Sequence, residues 1–85
     1  MAVQLNVELC GRLADACGRM VSVELPQDEV PVRELFAALG KAYPQLELAI
    51  ASGRVRACVN EALVTADALV RPGDEVALFP PVSGG

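Results

Sequence analysis

The stretch Val32-Arg33-Glu34-Leu35-Phe36-Ala37-Ala38-Leu39-Gly40-Lys41-Ala42-Tyr43 decides the fold class. Its apolar residues Val32, Leu35, Phe36, Leu39 and Tyr43 stand at offsets 0, 3, 4, 7 and 11. That spacing keeps them on one stripe of a 3.6-residue period, so it predicts an amphipathic helix over about 31–43. Pro31 suits the first helical turn, where its missing N–H costs nothing. Asp28 and Glu29 stand ahead of it, where negative charge complements the helix dipole. Pro44 closes the helix, because the residue before a proline avoids the α region. Gly40 costs about 1 kcal/mol relative to alanine in a helix interior. A close backbone contact would explain its presence.

Outward from this helix the period changes to two. Val3, Leu5, Val7 and Leu9 alternate with Gln4, Asn6 and Glu8, which reads as a half-buried strand. Val21, Val23 and Leu25 alternate with Ser22 and Glu24 in a second strand that ends at Pro26. Between them lies Gly11-Arg12-Leu13-Ala14-Asp15-Ala16-Cys17-Gly18, read as one or two helical turns with Gly18 as the stop. A connection this short makes the two strands an antiparallel pair. On the other side of the helix, residues 46–51 read as one further turn, and Ser52-Gly53 breaks the chain. Val55, Ala57 and Val59 line one face of a strand over residues 54–60, leaving Arg54, Arg56 and Cys58 on the other. Asn60-Glu61 turns into a short strand at residues 63–65. Arg71-Pro72-Gly73-Asp74 carries Pro then Gly at the centre of a type II turn. Asp74 and Glu75 then belong to a solvated turn. Residues 75–79 form the last strand. Val76 and Leu78 share one parity and face the core, which points Phe79 outward. The order is β, short α, β, α, β, β, β: an α+β domain over residues 1–79.

Composition narrows the function. Of 85 residues, 53% are hydrophobic and only 4% aromatic, so the core must be aliphatic. A chain of this size buries only about 60% of its unfolded surface, and that core has to be dense. Eleven acids against seven bases give a net charge of −4 without a basic stripe, which argues against nucleic acid as a partner. Histidine is absent. The commonest general base and the commonest zinc ligand are therefore missing, which disfavours an autonomous hydrolase and a metal site. Cys10, Cys17 and Cys58 are odd in number and contain no CxxC pair. They read as reduced, small apolar residues of a cytoplasmic protein. No run reaches the length of a membrane span or resembles a signal peptide. A cytoplasmic location and no membrane contact are expected.

The end of the sequence is Pro80-Pro81-Val82-Ser83-Gly84-Gly85. Two prolines cannot join a sheet interior and favour extended geometry. Residues 80–85 are expected to project as a flexible tail. Its last five residues reach at most roughly 17 Å. Glycines without side chains can thread a channel too narrow for a Cβ. A terminal carboxylate is a poor electrophile until coupling to ATP gives it AMP as a leaving group. The activated glycyl group can then accept sulfur or acylate a lysine.

The ending Val76-Ala77-Leu78-Phe79-Pro80-Pro81-Val82-Ser83-Gly84-Gly85, the preceding Gly73-Asp74-Glu75, and Val59-Asn60-Glu61-Ala62-Leu63-Val64 carry a family resemblance. The segment from Gly11 to Gly18 fits it as well. The chain resembles the small, sulfur-carrying subunits of molybdopterin synthase, within the ubiquitin-like β-grasp superfamily. The resemblance implies a mixed sheet of about five strands packed on one main helix. It implies that Gly85 is adenylated and converted to a thiocarboxylate, and that Gly84 threads beside it. It implies a non-autonomous enzyme subunit with no bound cofactor, ATP being consumed by a ubiquitin-activating-like adenylyltransferase. Further implied partners are a sulfur donor and the large synthase subunit, in a heterotetramer of two small and two large subunits. Docking would use Phe79, Leu63 and Cys10, with Pro80, Pro81, Val82 and Ser83 entering the partner. Many relatives carry an aromatic residue where this chain has Cys10. Three other readings stay open: a carrier for thiamine thiazole synthesis, a protein modifier that joins Gly85 to lysines, and an interaction module with an inert tail.

Overall fold

The computed structural model describes residues 3–80. In chain order these form β1 (Val3–Leu9), α1 (Arg12–Cys17), β2 (Met20–Leu25), β3 (Val30–Pro31), α2 (Val32–Ala42), α3 (Pro44–Ala51), β4 (Arg56–Val59), β5 (Ala62–Val64), β6 (Leu69–Val70) and β7 (Val76–Phe79). Five of the strands make one sheet in the order β2-β1-β7-β4-β5. Only the β1–β7 pair is parallel; β1–β2, β7–β4 and β4–β5 are antiparallel. The sheet is mixed and packs on α2, as the resemblance implies.

The period-two pattern explains the sheet's two faces. Leu5, Val7 and Leu9 of β1, Val21, Val23 and Leu25 of β2, and Val76 and Leu78 of β7 are all buried. They meet Val32, Leu35 and Leu39 of α2 and Leu46 of α3. Burying each Leu stabilises by about 1.5–3 kcal/mol relative to exposure, so an aliphatic core suffices without aromatic bulk. The buried residues among those described include no polar or charged side chain. The turns also have the expected chemistry. Val59 pairs with Ala62 across a two-residue loop. Its residues Asn60 and Glu61 have φ of 52° and 70°, the left-handed values a type I′ hairpin turn needs. In the Arg71–Asp74 turn, Gly73 takes φ 99° and the Asp74 N–H donates to the Arg71 carbonyl at 3.0 Å.

Four expectations need correction. Pro31 is not in the first helical turn. It is the extended residue before α2, with φ −70° and ψ 155°, and it pairs with Leu69 in the small β3–β6 sheet. That sheet is not legible in the sequence, because two-residue strands carry no period. Its neighbouring loop acts as a cap: the N–H groups of Val32 and Arg33 donate to the carbonyls of Ala68 and Ala66 at 2.8 and 3.0 Å. Glu29 does not serve the α2 dipole either; its carboxylate accepts from Arg71 Nε at 2.6 Å. The acid in the first turn is Glu34. Residues 46–51 are not a single turn. Pro44 closes α2 and also opens α3, an eight-residue helix, because proline is as favourable at a helix start as it is unfavourable within one. Finally, no tight contact requires Gly40. A Cβ placed there would lie 3.9 Å from Glu47 Cγ and 4.0 Å from its Cα, ordinary van der Waals distances.

Tyr43 sits between α2 and α3 and ties this helical layer to the sheet. Its hydroxyl donates to the Ser22 carbonyl at 2.9 Å and accepts from the Ser22 N–H at 3.3 Å. Ser22 is on β2, the outer strand of the sheet, so the hydroxyl closes part of an open edge that would otherwise invite pairing with another chain.

Gly40→Ala should raise stability by about 0.5–1 kcal/mol, since alanine removes the helix-interior penalty and meets no clash. Urea denaturation checks this: the midpoint should rise with an unchanged m-value. A lower midpoint would mean that the α2–α3 contact has no room for a methyl group.

Candidate functional site

The sheet face opposite the helices is where the alternation places the residues the core does not use. Pairing aligns one row across all five strands. Glu8 stands opposite Met20 and beside Ala77, Ala77 faces Cys58, and Cys58 faces Leu63. Met20 is 61% exposed and Leu63 68% exposed, so the row begins and ends on a large uncovered apolar side chain. One row nearer the end of β7, Phe79 faces Arg56 and is 39% exposed. Cys10 follows β1 at the same end, its N–H donating to the Leu78 carbonyl at 3.0 Å.

Phe79, Leu63 and Cys10 are thus on one sheet, but not in one cluster. Phe79 points outward between buried Leu78 and half-buried Pro80, as the parity of Val76 and Leu78 predicts. Leu63 lies two strands away, about 10 Å at the usual strand spacing. Cys10 is half-buried beside the end of β7. Pro80 is also half-buried, its ring close to Gly11. Pro81, Val82, Ser83, Gly84 and Gly85, the rest of the tail expected from the sequence, lie outside the described residues. Met20 is absent from the residues the sequence singles out, although its parity with Ser22 and Glu24 is enough to place it on the outer face. Ala77 and Cys58 join it there.

Charge is unevenly placed on this face. Arg56 stands beside Phe79, whereas Glu61, Asp74 and Glu75 sit at the opposite end of β4 and β7. There Asn60 locks two of the sequence motifs together. Its side-chain oxygen accepts the Glu75 N–H at 3.0 Å, its amide donates to Asp74 Oδ1 at 3.2 Å, and its own N–H donates to the Glu75 carbonyl at 2.7 Å. Asp74 Oδ2 also accepts the Arg71 N–H at 2.9 Å, so Asp74 shapes the turn more than it stands in solvent. Among the described residues, no group of His, Cys, Asp or Glu side chains is arranged to hold a metal ion. No helix among them is long and apolar enough to cross a membrane. Burial raises the Cys10 pKa, with the negative charge of Glu8 and of a Cys58 thiolate acting in the same direction and Arg19 opposing. At a given pH Cys10 therefore holds less thiolate than an ordinary cysteine, which weakens it as a nucleophile.

A protein with Cys17 and Cys58 replaced by serine keeps the burial and the Glu8 charge that raise this pKa and leaves Cys10 as its one thiol. Its Cys10 should react with iodoacetamide more slowly than a cysteine in an unstructured peptide near pH 8. The rate should still climb with pH where the peptide's has levelled, because a raised pKa leaves less thiolate at each pH. A profile superimposing on the peptide's would refute the shift.

Residues 7–85 match the ThiS family. The chain is 38% identical over 64 residues to the molybdopterin synthase sulfur carrier subunit of Escherichia coli, covering 75% of this chain and 79% of that one. It is 39% identical over 81 residues to the subunit of the same name from Haemophilus influenzae, covering 95% and 99%. The crystal structure of SAMP1 from Haloferax volcanii superimposes with a TM-score of 0.81 at 31% identity, over 98% of this chain and 100% of that one. The fold is thus that of the ubiquitin-like β-grasp proteins, and by both sequence and fold this chain belongs to the ThiS family, with the molybdopterin synthase sulfur carrier subunits among its relatives.

Proposed function

We propose that this chain is the sulfur carrier subunit of a molybdopterin synthase. One observation carries the reading beyond family membership. The last strand described runs through the middle of the sheet and ends at Phe79, which is exposed on the outer face and stands six positions before Gly85 in the sequence. A domain built to present its own C-terminus to partners needs that arrangement. The names of the relatives from E. coli and H. influenzae support it, since a carrier subunit of a synthase acts beside another subunit.

The chemistry follows from the carboxylate of Gly85. An activating partner supplies ATP; the carboxylate attacks the α-phosphorus, pyrophosphate leaves, and an acyl-adenylate remains. A sulfur nucleophile then attacks the carbonyl carbon and displaces AMP, leaving a thiocarboxylate. That sulfur attacks a carbon of the pterin precursor in the large subunit and displaces an oxygen substituent there, forming a thioester; water then cleaves the acyl C–S bond, leaving the sulfur on the pterin and returning the carrier to its carboxylate. Gly84 and Gly85 enter the partner's channel because neither brings a Cβ. Pro80, Pro81, Val82 and Ser83 span the distance from the sheet. Phe79, Leu63 and Met20 supply the apolar contact, with Cys10 filling space beside Phe79. The chain binds no cofactor of its own in this scheme. By the family resemblance the working synthase pairs two carriers with two large subunits, and a second loaded carrier supplies the second sulfur. A cytoplasmic site of action is part of the reading.

A second reading has a specific observation behind it. SAMP1 is called small archaeal modifier protein 1, and the overlap with its structure is close. A modifier would join the Gly85 carboxyl to lysine side chains of other proteins after the same adenylation.

Intact-protein mass spectrometry separates the two. Incubated with ATP, an activating enzyme of this family and a sulfur source, the chain should gain the mass of one sulfur in place of one oxygen. The chain lacking Gly85 should fold and gain nothing. An unchanged mass, with an activator proven on another carrier, would overturn the carrier reading. Lysine adducts in a cell extract would favour the modifier. Phe79→Asp should weaken docking on the large subunit by at least about tenfold, or about 1.4 kcal/mol. Its stability should fall by about 1–2 kcal/mol, because Phe79 is 39% exposed and the substitution loses the packing of the rest, and urea denaturation should still show a folded chain. Unchanged affinity by calorimetry would remove Phe79 from the contact.

A further inference from the structure

We propose that the end of the sheet where β7 finishes is a docking site for an acidic surface of a protein partner, met by Arg12, Arg19, Arg54 and Arg56. The proposal rests on the carrier reading for the partner's identity, the large subunit; the placement of charge belongs to this chain alone. Topology gathers the four arginines. β1 and β7 run the same way and end together, and Arg12 follows the end of β1 by three residues. Arg19 stands opposite that end, its carbonyl accepting the Leu9 N–H at 2.7 Å. β4 runs against β7 and so begins where β7 finishes: Arg56 faces Phe79, and Arg54 precedes it by two residues. All four are exposed. Among the described residues the ion pairs are Arg33 with Asp67 and Arg71 with Glu29, so none of the four is tied to a carboxylate. The acids of β1 and α1 are Glu8 and Asp15, which leaves this end positive.

That sign runs against the whole. The chain carries a net charge of −4 with seven bases, and four of those bases stand here. Glu61, Asp74 and Glu75 hold the other end of β4 and β7. From Arg56 to Asn60 is four residues, about 13 Å along a strand. Physiological salt screens charge over about 8 Å, so each end presents its own sign to a partner. The spread of the arginines indicates a surface rather than one small anion. Arg19 leads into β2 and Arg56 opens β4, three strand spacings or about 14 Å apart, with exposed Phe79 on the strand between them. Meeting on a single phosphate would lay both side chains across that ring. Separate carboxylates can meet each guanidinium where it stands, in the planar fork that suits them. An apolar centre with a charged rim is also the anatomy of a protein contact. A nucleic acid backbone following this face would instead run from the arginines into Glu61, Asp74 and Glu75.

Charge reversal tests the site and separates it from net charge. One protein carries Arg19→Glu and Arg56→Glu. The control carries Arg33→Glu and Lys41→Glu on α2, the same change in net charge on the helical side of the sheet. Stopped-flow association with the large subunit is followed as sodium chloride rises from about 50 to about 500 mM. The parent's kon should fall at least about tenfold over that range. At the lowest salt the Arg19→Glu, Arg56→Glu protein should associate at least about tenfold more slowly than the parent, and the control within about threefold. Equal slowing of both proteins, or a parent kon indifferent to salt, would overturn the proposal. The second measurement needs no carrier chemistry. Poly-L-glutamate added to the free, isotope-labelled parent at low salt should shift the amide resonances of Arg12, Arg19, Arg54, Arg56 and their neighbours. Shifts elsewhere or none, or tighter binding to a DNA duplex than to poly-L-glutamate, would also overturn it. Urea denaturation confirms that each variant is folded. If the parent acquires no sulfur and does not bind the large subunit, the carrier reading fails, and the resonance shifts alone then decide the site.

Discussion

The parallel pairing of β1 with β7 is the constraint on which the rest depends. It sets the first and last strands of the described chain side by side at the centre of the sheet. Parallel neighbours cannot be joined by a tight turn, so everything between them must cross over. The elements from α1 to β6 are that crossover, and α2 supplies its bulk. Because the two strands run the same way, the end of β7 emerges beside the end of β1. Cys10 and Gly11 are therefore the first residues that Phe79 and Pro80 meet. A β7 on a sheet edge would leave the chain at the rim, with half the apolar face out of reach. At the centre, β7 ends at Phe79 with the strands of Met20 and Leu63 each two places away on either side.

The two faces of the sheet are built from the same alternation, yet they differ in kind. The inner face is built of Leu and Val, with Ala57 among them, and these side chains are almost fully buried. The outer face mixes Ser22, Glu24, Asn6 and Glu8 with a few large apolar side chains. Scattered exposed apolar residues need no explanation, but Met20 and Leu63 share one pairing row, and Phe79 is one row away. In the proposed function an apolar surface this thin would serve reversible docking, while its polar neighbours limit the exposed apolar patch. The Tyr43 hydroxyl on Ser22 protects the β2 edge to the same end.

The sheet and its main helix are legible in the sequence because each repeats long enough to show a period. The stripe from Val32 to Tyr43 covers three turns, and β1 alternates over seven residues. The turns are legible by chemistry: Pro72-Gly73 for one, Asn60-Glu61 for the other. What escapes is short or depends on context. β3 and β6 are two residues each and exist because their pairing packs against the start of α2. Pro31 resembles a helix start because proline favours that position, and tertiary pairing uses it as a strand end instead. Pro44 signals a stop, which is half its role. At the functional face, parity suffices to turn Phe79 outward. The gap between Phe79 and Leu63 needs the strand order, and that order needs the parallel pair, which no local pattern announces.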